Sequence, residues 1–152
     1  MGGVSVNERA DRRAPRIFVA AAGADSGDAD WVEVTSDGQV AVRVSAPDLQ
    51  QAQRARARIQ RDEPVPVVLD ITVLVAEDYR SARRGMSAVQ DDAPASVQYA
   101  GTLDGLAGLI ADIFVAGVAD GVTLIPGNAD QDVRRLAQDV VGRIAARLNV
   151  AA

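Results

Sequence analysis

The sequence predicts an α/β fold in which short buried strands alternate with helices. Valine is concentrated in short apolar runs and alanine in longer stretches with helical periodicity, which separates strands from helices. Alternation of strands and helices along a chain predicts a parallel sheet with right-handed crossovers. We expect about four parallel strands, half of the eight that close a (β/α) barrel. They are predicted at residues 16–22, 40–45, 66–76 and 121–126.

Composition limits the classes of function. The chain has 152 residues, 48% of them apolar, which fits one domain with an ordinary core. The net charge of -5 disfavours binding to nucleic acid. The absence of cysteine and histidine excludes disulfides, a Ser-His-Asp triad and a histidine zinc site, and we expect no metal. The polar start has no secretory h-region and no run approaches membrane-span length, so we expect a cytoplasmic protein.

The N-terminal third predicts an arm, a strand and a hairpin. Residues 1–15 lack periodicity and are expected to form a flexible arm before a domain at residues 16–150. "RIFVAAAG" is an apolar run closed by Gly23, typical of a buried strand, and a loop rich in turn-forming residues follows. Trp31–Val34 and Val40–Val44 flank a glycine-containing turn and predict a β-hairpin. A short helix is the alternative for the first arm.

A helix and a strand follow in the middle of the chain. Pro47 stands where a helix can begin, and residues 49, 52, 56 and 59 share one face. Asp70 interrupts the most β-prone run, and we favour a hydrogen-bonded or solvent-facing carboxylate over a polar group in a pocket. Arginines are expected on solvated helix faces rather than in anion sites. They form two clusters, Arg54, Arg56, Arg58 and Arg61, and Arg80, Arg83 and Arg84.

The C-terminal half predicts three more helices and the last strand. The first helix has Tyr79, Ala82, Met86 and Val89 on one face, and residues 93–101 read as a linker. The second is capped by Thr102, has Asp104 in its first turn and ends at Gly117. The last is expected to be capped by Asn128, with Gln131 at the capping-box position. Its predicted buried stripe consists of Val133, Leu136, Val140, Ile144 and Leu148.

Residues 99–148 carry an ordered set of short motifs. These are Gly101-Thr102, Leu106-Ala107, Ile110, Ala116-Gly117, Asp120-Gly121 and Leu124. In this order they resemble the end of luciferase-like flavin-dependent monooxygenases, nearest to the nitrilotriacetate and dibenzothiophene-sulfone monooxygenase branch. "RIFVAAAGADSG", "VAVRVSAPDLQQAQ" and "VVLDITVLVAEDYRSAR" resemble strands five, six and seven of that family with the segments that follow them. The resemblance covers residues 16–148.

The resemblance implies a fold, a cofactor and a site. The fold would be a partial, TIM-like half barrel with the strand order of barrel strands five to eight. The cofactor would be FMN or the deazaflavin F420, held at its phosphate by the loop after strand five. The residues carried over to that loop are Gly23, Asp25, Ser26 and Gly27, where glycines and backbone N–H groups suit an anion. Asp25 stands near positions where the family often has serine.

The resemblance also implies a function and a partner. The chain would be a fragment or subunit of a flavin-dependent monooxygenase or oxidoreductase acting on a small organic substrate. The alternative is a catalytically inactive relative that serves as a binding or assembly module. A half barrel exposes open strand edges and an apolar inner face, which is costly in water. We therefore expect either a homo-oligomer or a separate chain that supplies the N-terminal half of the barrel.

Overall fold

The computed structural model describes residues 14–20, 31–35, 38–87, 97–128 and 131–151. These residues form six strands and four helices. In chain order the elements are β1 (Arg16–Val19), β2 (Val32–Glu33), β3 (Val42–Val44), α1 (Leu49–Asp62), β4 (Val67–Val75), α2 (Tyr79–Ser87), β5 (Val97–Gly101), α3 (Leu103–Val115), β6 (Gly121–Pro126) and α4 (Val133–Ala151). None of these helices is both long and apolar enough to cross a membrane.

The strands form one mostly parallel sheet that curls into a half barrel, which confirms the predicted fold class. The order of neighbours is β2, β1, β6, β4 and β3, and β5 also pairs with β4. All pairs are parallel except β1 with β2. The curl brings the start of β1 to the segment that leads into β3, where the Arg16 guanidinium donates to the Gln39 carbonyl at 2.7 Å.

The position of β1 in the sheet differs from the position that the strand order of a barrel would give it. In the order of barrel strands five to eight, β1 would lie beside β3, but it lies beside β6, with Ile17 opposite Val122. In a complete barrel, strand one pairs with that edge of strand eight. An open edge of β6 would leave a row of N–H and C=O groups without partners. By pairing with it, β1 gives those groups partners within the chain.

The predicted hairpin is wrong, although both of its arms contain strands. β2 pairs antiparallel with β1, Val32 opposite Val19, and β3 pairs parallel with β4, Val42 opposite Val67. The two arms therefore join different edges of the curled sheet. A local turn signal at Gly38 could not predict this, because the longer strands β1 and β4 offer the arms better partners.

The predicted linker at residues 93–101 is also wrong where it is described, because Val97–Gly101 forms β5. β4 has nine residues, and β3 pairs only with its first part, at Val67–Leu69. β5 pairs with the rest of β4, from Ile71 to Val75. β6 lies on the other edge of β4 along both parts, so β3 and β5 share one edge.

The two faces of the sheet differ in what covers them. Helices α1, α3 and α4 pack against one face, here called the outer face, and form the main apolar core with it. The sheet residues of this core include Ile17, Leu69, Ile71, Val122 and Leu124. The opposite, inner face carries the alternate residues of each strand, and α2 packs against it at Leu74 through Ala82.

One predicted helix face, that of α2, and one predicted helix start, that of α4, need correction. Tyr79 was expected on the buried face of α2, but it is 56% exposed, while Ala82 is fully buried. α4 is not capped by Asn128: it begins at Val133, and Asp132 Oδ1 accepts the N–H of Arg135 at 3.2 Å. A carboxylate at Asp132 fits the positive end of the helix, whereas Asn128 lies too early in the chain to reach it.

Other predicted features of the helices are confirmed. Thr102 caps α3 by accepting the N–H of Gly105 at 3.2 Å. Gly117 follows α3 with a positive φ of 76°, the conformation that favours glycine at a helix end. The described members of the α4 stripe that are buried are Leu136, Val140 and Ile144.

Candidate functional site

A row of side chains crosses the inner face from β2 to β4. Glu33 lies opposite Phe18, and Thr123 lies between Phe18 and Asp70 on neighbouring strands. Residues paired across a sheet point to the same face, so these four side chains are neighbours. Phe18 is 5%, Thr123 0% and Asp70 8% exposed. The chain therefore buries an aromatic ring, a hydroxyl and a carboxylate side by side.

Trp31 covers the middle of this row. Its indole ring stacks on Phe18, with ring centroids 4.4 Å apart and planes 14° apart. The indole Nε1–H donates to Thr123 Oγ1 at 2.8 Å. Trp31 is half-buried, so its ring lies between the buried row and the solvent. Stacking and the hydrogen bond together fix the orientation of the indole.

Arg43 and Asp70 form a partly buried ion pair at the end of the row. Arg43 Nε donates to Asp70 Oδ1 at 2.8 Å, and the side chains are 18% and 11% exposed. Burial raises the pKa of Asp70, and the hydrogen bond and charge of Arg43 only partly oppose this. The prediction that Asp70 is hydrogen-bonded is confirmed. A buried carboxyl with a raised pKa is also the usual form of a proton-transferring group.

A second ion pair lies at the start of the row, between Arg16 and Glu33. Arg16 donates to both carboxylate oxygens of Glu33, from Nε at 2.9 Å and from Nη2 at 2.7 Å. Thr35 Oγ1 and the Gly38 N–H also donate to this carboxylate. Burial raises the pKa of Glu33, but these hydrogen bonds outweigh it and lower the pKa to about 2. Glu33 is therefore fixed as a carboxylate and suits a structural role.

The C-terminal edge of the parallel strands is where ligands usually bind in α/β proteins. Here Gln131 Oε1 accepts the Val75 N–H at 2.6 Å, and the Gly127 N–H donates to the Val73 carbonyl at 2.7 Å. A side chain at residue 127 would meet that carbonyl at 2.8 Å, so only glycine allows this close approach. The turn after β6 is thus bound to the end of β4, not open to a ligand.

The helix starts at this edge are mostly closed by carboxylates. Asp48, Asp78 and Asp132 accept N–H groups in the first turns of α1, α2 and α4. An anion at the start of α4 would have to displace the Asp132 carboxylate from the Arg135 N–H. A shallow open depression of about 420 Å³ lies at the start of α2. Its lining residues are Asp78, Tyr79, Arg80, Ser81 and Arg84.

A polar network at the opposite, N-terminal edge joins α1 to the sheet. Asp120 accepts from Arg56 at 3.0 and 3.2 Å, and from Gln60 and the Val67 N–H at 2.9 Å each. Arg56 also donates to the Gly117 carbonyl at 3.1 Å. Arg56 was expected on a solvated helix face, and this is wrong. Polar groups at this end of a parallel barrel serve stability, since the reacting end is the opposite one.

The residues predicted to bind a cofactor, Gly23, Asp25, Ser26 and Gly27, lie outside the described residues. The structure describes the chain up to Ala20, just after β1, and resumes at Trp31, so it neither places nor excludes this loop. The described residues do not form a flavin pocket by themselves. On the inner face Phe18, Val68 and Thr123 are at most 5% exposed, so other side chains of the described segments cover them. No group of three or more acidic residues that could hold a metal occurs in the described segments.

Sequence reasoning did not identify Trp31, Thr123 and Arg43 as members of one site. The signal was present in part, because Thr123 and Arg43 are polar residues at alternate positions of otherwise apolar strands. Such residues point to the inner face when the outer face is covered by helices. What the sequence lacks is the pairing of β1 with both β2 and β6, which brings Trp31 to Thr123.

Comparisons with known proteins show the fold. The chain is similar in structure to EDTA monooxygenase from Chelativorans sp. BNC1, with a TM-score of 0.55 and 14% sequence identity. The similarity covers 85% of this chain and 44% of that chain, so this chain spans less than half the length of its structural neighbour. No protein-family model matches the chain. The comparison with curated proteins gives no match either.

Proposed function

We propose that the chain is a component of a luciferase-like, flavin-dependent monooxygenase or oxidoreductase and supplies the C-terminal half of its barrel. The observation that carries this proposal is the structural likeness to a monooxygenase over 85% of the chain. The ordered motifs from Gly101 to Leu124 agree with it. The substrate would be a small organic molecule, and the protein would act in the cytoplasm.

The cofactor in this proposal is FMN or F420, and the chain would contact its phosphate through the loop at residues 23–27. Gly23 and Gly27 allow the backbone to approach the phosphate, and Ser26 supplies a hydroxyl. The carboxylates that cap the starts of α1, α2 and α4 disfavour a phosphate at these three helix starts. Asp25 adds a negative charge beside the proposed phosphate and is expected to weaken binding.

Catalysis in this proposal needs a second chain. The described inner face is filled by its own side chains, so the rest of a flavin pocket would come from a partner. The partner would be either a second copy or a separate N-terminal half barrel. Since β1 occupies the edge of β6 that strand one takes in a barrel, an N-terminal half would have to replace β1 there.

The proposal is tested by titrating the purified chain with FMN, riboflavin and F420 and following flavin fluorescence. Comparison of FMN with riboflavin isolates the phosphate, because the two share the isoalloxazine ring. Ser26→Ala is expected to weaken FMN binding about 3- to 10-fold, the loss of one hydrogen bond. Asp25→Ser is expected to tighten FMN binding, and neither change should alter riboflavin binding. Asp62→Ser at the exposed end of α1 removes the same charge outside the loop and serves as the control.

The outcomes separate the proposal from its alternative. Binding of FMN or F420 that responds to residues 25 and 26 supports the proposal. A folded chain that binds neither cofactor, whether alone, as an oligomer or together with an N-terminal half barrel, contradicts it and favours an inactive binding or assembly module.

A further inference from the structure

The chain has one tryptophan, and its ring rests in a slot formed by its own inner face. The floor of this slot consists of the Phe18 ring, 4.4 Å from the indole, and the Thr123 hydroxyl, 2.8 Å from its Nε1. Both floor residues are at most 5% exposed. A stacking surface and a hydrogen-bond acceptor at this spacing match a planar ring that carries an N–H.

Trp31 closes the slot from the solvent side and is held by a short element. β2 contains only Val32 and Glu33, and Trp31 precedes it. The neighbouring anchor points are the N–H groups of Val34 and Thr35, which donate to the Ile17 carbonyl. Rotation of the indole out of the slot would break one hydrogen bond and one stacking contact of Trp31. The pairing of β2 with β1 does not depend on either of them.

We infer that this slot is a binding site for a planar heteroaromatic group with a ring N–H, and that Trp31 occupies it until such a group displaces it. An aromatic ring of this kind would stack on Phe18 and donate to Thr123 as the indole does. The isoalloxazine of a flavin is planar and has a ring N–H, and its choice as the ligand rests on the proposed function. In the described chain the indole itself occupies this slot.

The first experiment tests the slot without reference to flavin. Trp31→Ala removes the indole, and free indole is then added while the melting temperature is measured. An empty apolar slot binds a ring of the shape that was removed. At high indole concentration we expect the Tm of the variant to rise by about 4 °C or more. 1-Methylindole has the same ring system, but a methyl group replaces the N–H hydrogen, and it should bind at least about 3- to 10-fold more weakly.

The control for this experiment is Phe114→Ala. Phe114 is also a partly buried aromatic residue, but it lies on α3, away from the inner face. Indole should not raise its Tm. If Trp31→Ala is folded and indole stabilises it no more than Phe114→Ala, the slot is not a binding site and the inference is wrong.

The second experiment begins with the wild-type chain, so its first readout does not depend on the folding of Trp31→Ala. Riboflavin is added while the emission of the single tryptophan is recorded. Displacement exposes the indole to water, and we expect the emission to shift to longer wavelength as riboflavin binds. Thr123→Val is combined with Trp31→Ala, so that no indole competes for the acceptor, and it should weaken riboflavin binding to Trp31→Ala about 3- to 10-fold.

The two experiments distinguish failure of the slot from failure of the proposed function. Indole rescue without any binding of riboflavin, FMN or F420 supports the slot and contradicts the flavin proposal. A second outcome is flavin binding that does not shift the tryptophan emission and is not weakened by Thr123→Val. It supports the proposed function but shows that the slot is not where the ring binds.

Discussion

The two faces of the sheet are buried to a similar extent but are built from different chemistry. The outer face contributes only apolar side chains to the core, among them Leu124 and Val122, both 0% exposed. The inner face buries Thr123 on the same strand, together with Asp70 and Arg16, and it half-buries Arg43. Apolar burial is sufficient for stability, whereas burial of charge carries a desolvation cost. The comparison teaches that the outer face holds the fold and that the inner face is where a ligand would find polar groups.

The largest expected difference between the faces is at two adjacent residues of β6. Leu124→Ala on the outer face should lower the free energy of unfolding by about 2–5 kcal/mol, because it leaves a cavity in the main core. Thr123→Val on the inner face keeps the volume and removes one hydrogen bond, so its loss should be about 0.5–1.5 kcal/mol. Urea unfolding of both variants measures the difference. Equal losses would contradict the assignment of stability to the outer face.

The next effect concerns the partly buried ion pair of the inner face. Asp70→Ala leaves Arg43 partly buried without its carboxylate and should cost about 3 kcal/mol. The double variant Arg43→Met with Asp70→Leu replaces the pair by apolar groups and should recover most of that loss. Asp112→Ala removes an exposed carboxylate and serves as the control, with a change near zero. A double variant as unstable as Asp70→Ala would show that the pair itself stabilises the chain.

The pH dependence of stability should have opposite signs for the two inner-face carboxyls. The pKa of Glu33 falls from its ordinary value of 4.5 to about 2 on folding. Its contribution is present above pH 4.5 and is lost as the pH falls from there toward 2. The pKa of Asp70 is raised above 3.8, so its contribution is present below that pH and is lost as the pH rises through the folded-state pKa.

Equilibrium unfolding between pH 2 and 6 checks this pair of signs. Glu33→Gln should remove part of the loss of stability toward acid. Asp70→Asn should remove part of the loss toward neutral pH. If both variants changed the pH dependence of stability in the same direction, the pKa values of Glu33 and Asp70 would not be shifted in opposite directions by their surroundings.

The smallest effect is expected for an ion pair on the solvent side of the helices. Arg147 Nη2 lies 3.4 Å from Asp104 Oδ2, but the side chains are 46% and 66% exposed. Arg147→Gln should change the free energy of unfolding by less than about 1 kcal/mol, since exposed pairs are screened by water. Comparison of Arg147→Gln with Asp70→Ala shows how far burial, rather than charge alone, determines the loss of free energy of unfolding when an ion pair is broken. A loss for Arg147→Gln as large as that for Asp70→Ala would show that burial does not determine how much an ion pair contributes to stability.

Much of the fold could be predicted from the sequence because its signals are local. The start of β6 after Asp120, the cap at Thr102 and the turn at Gly117 follow from apolar runs, capping side chains and glycine within a few residues. The same local reasoning failed for Asn128, because Asp132 is a competing cap four residues later. It also failed for β5, whose sequence has no strong strand pattern and which exists because β4 has an open edge.

The candidate site could be predicted only in fragments. Asp70 stood out as a charge in an apolar run, and its hydrogen bond was expected, but its partner Arg43 was not. Trp31 and Thr123 are 92 residues apart in sequence and meet because β1 lies between β2 and β6. The loop at residues 23–27 came from family resemblance, and it remains a prediction.

The sequence by itself determined the α/β class, most of the helices and strands, and which residues of each strand are apolar. These depend on the periodicity and capping of neighbouring residues. Only the tertiary structure decided that β1 pairs with β6, that the hairpin arms separate, and that Trp31 closes a slot over Phe18 and Thr123. The physical reason is that backbone N–H and C=O groups are the same in every strand. The choice of a partner edge therefore depends on which edges the whole sheet leaves open.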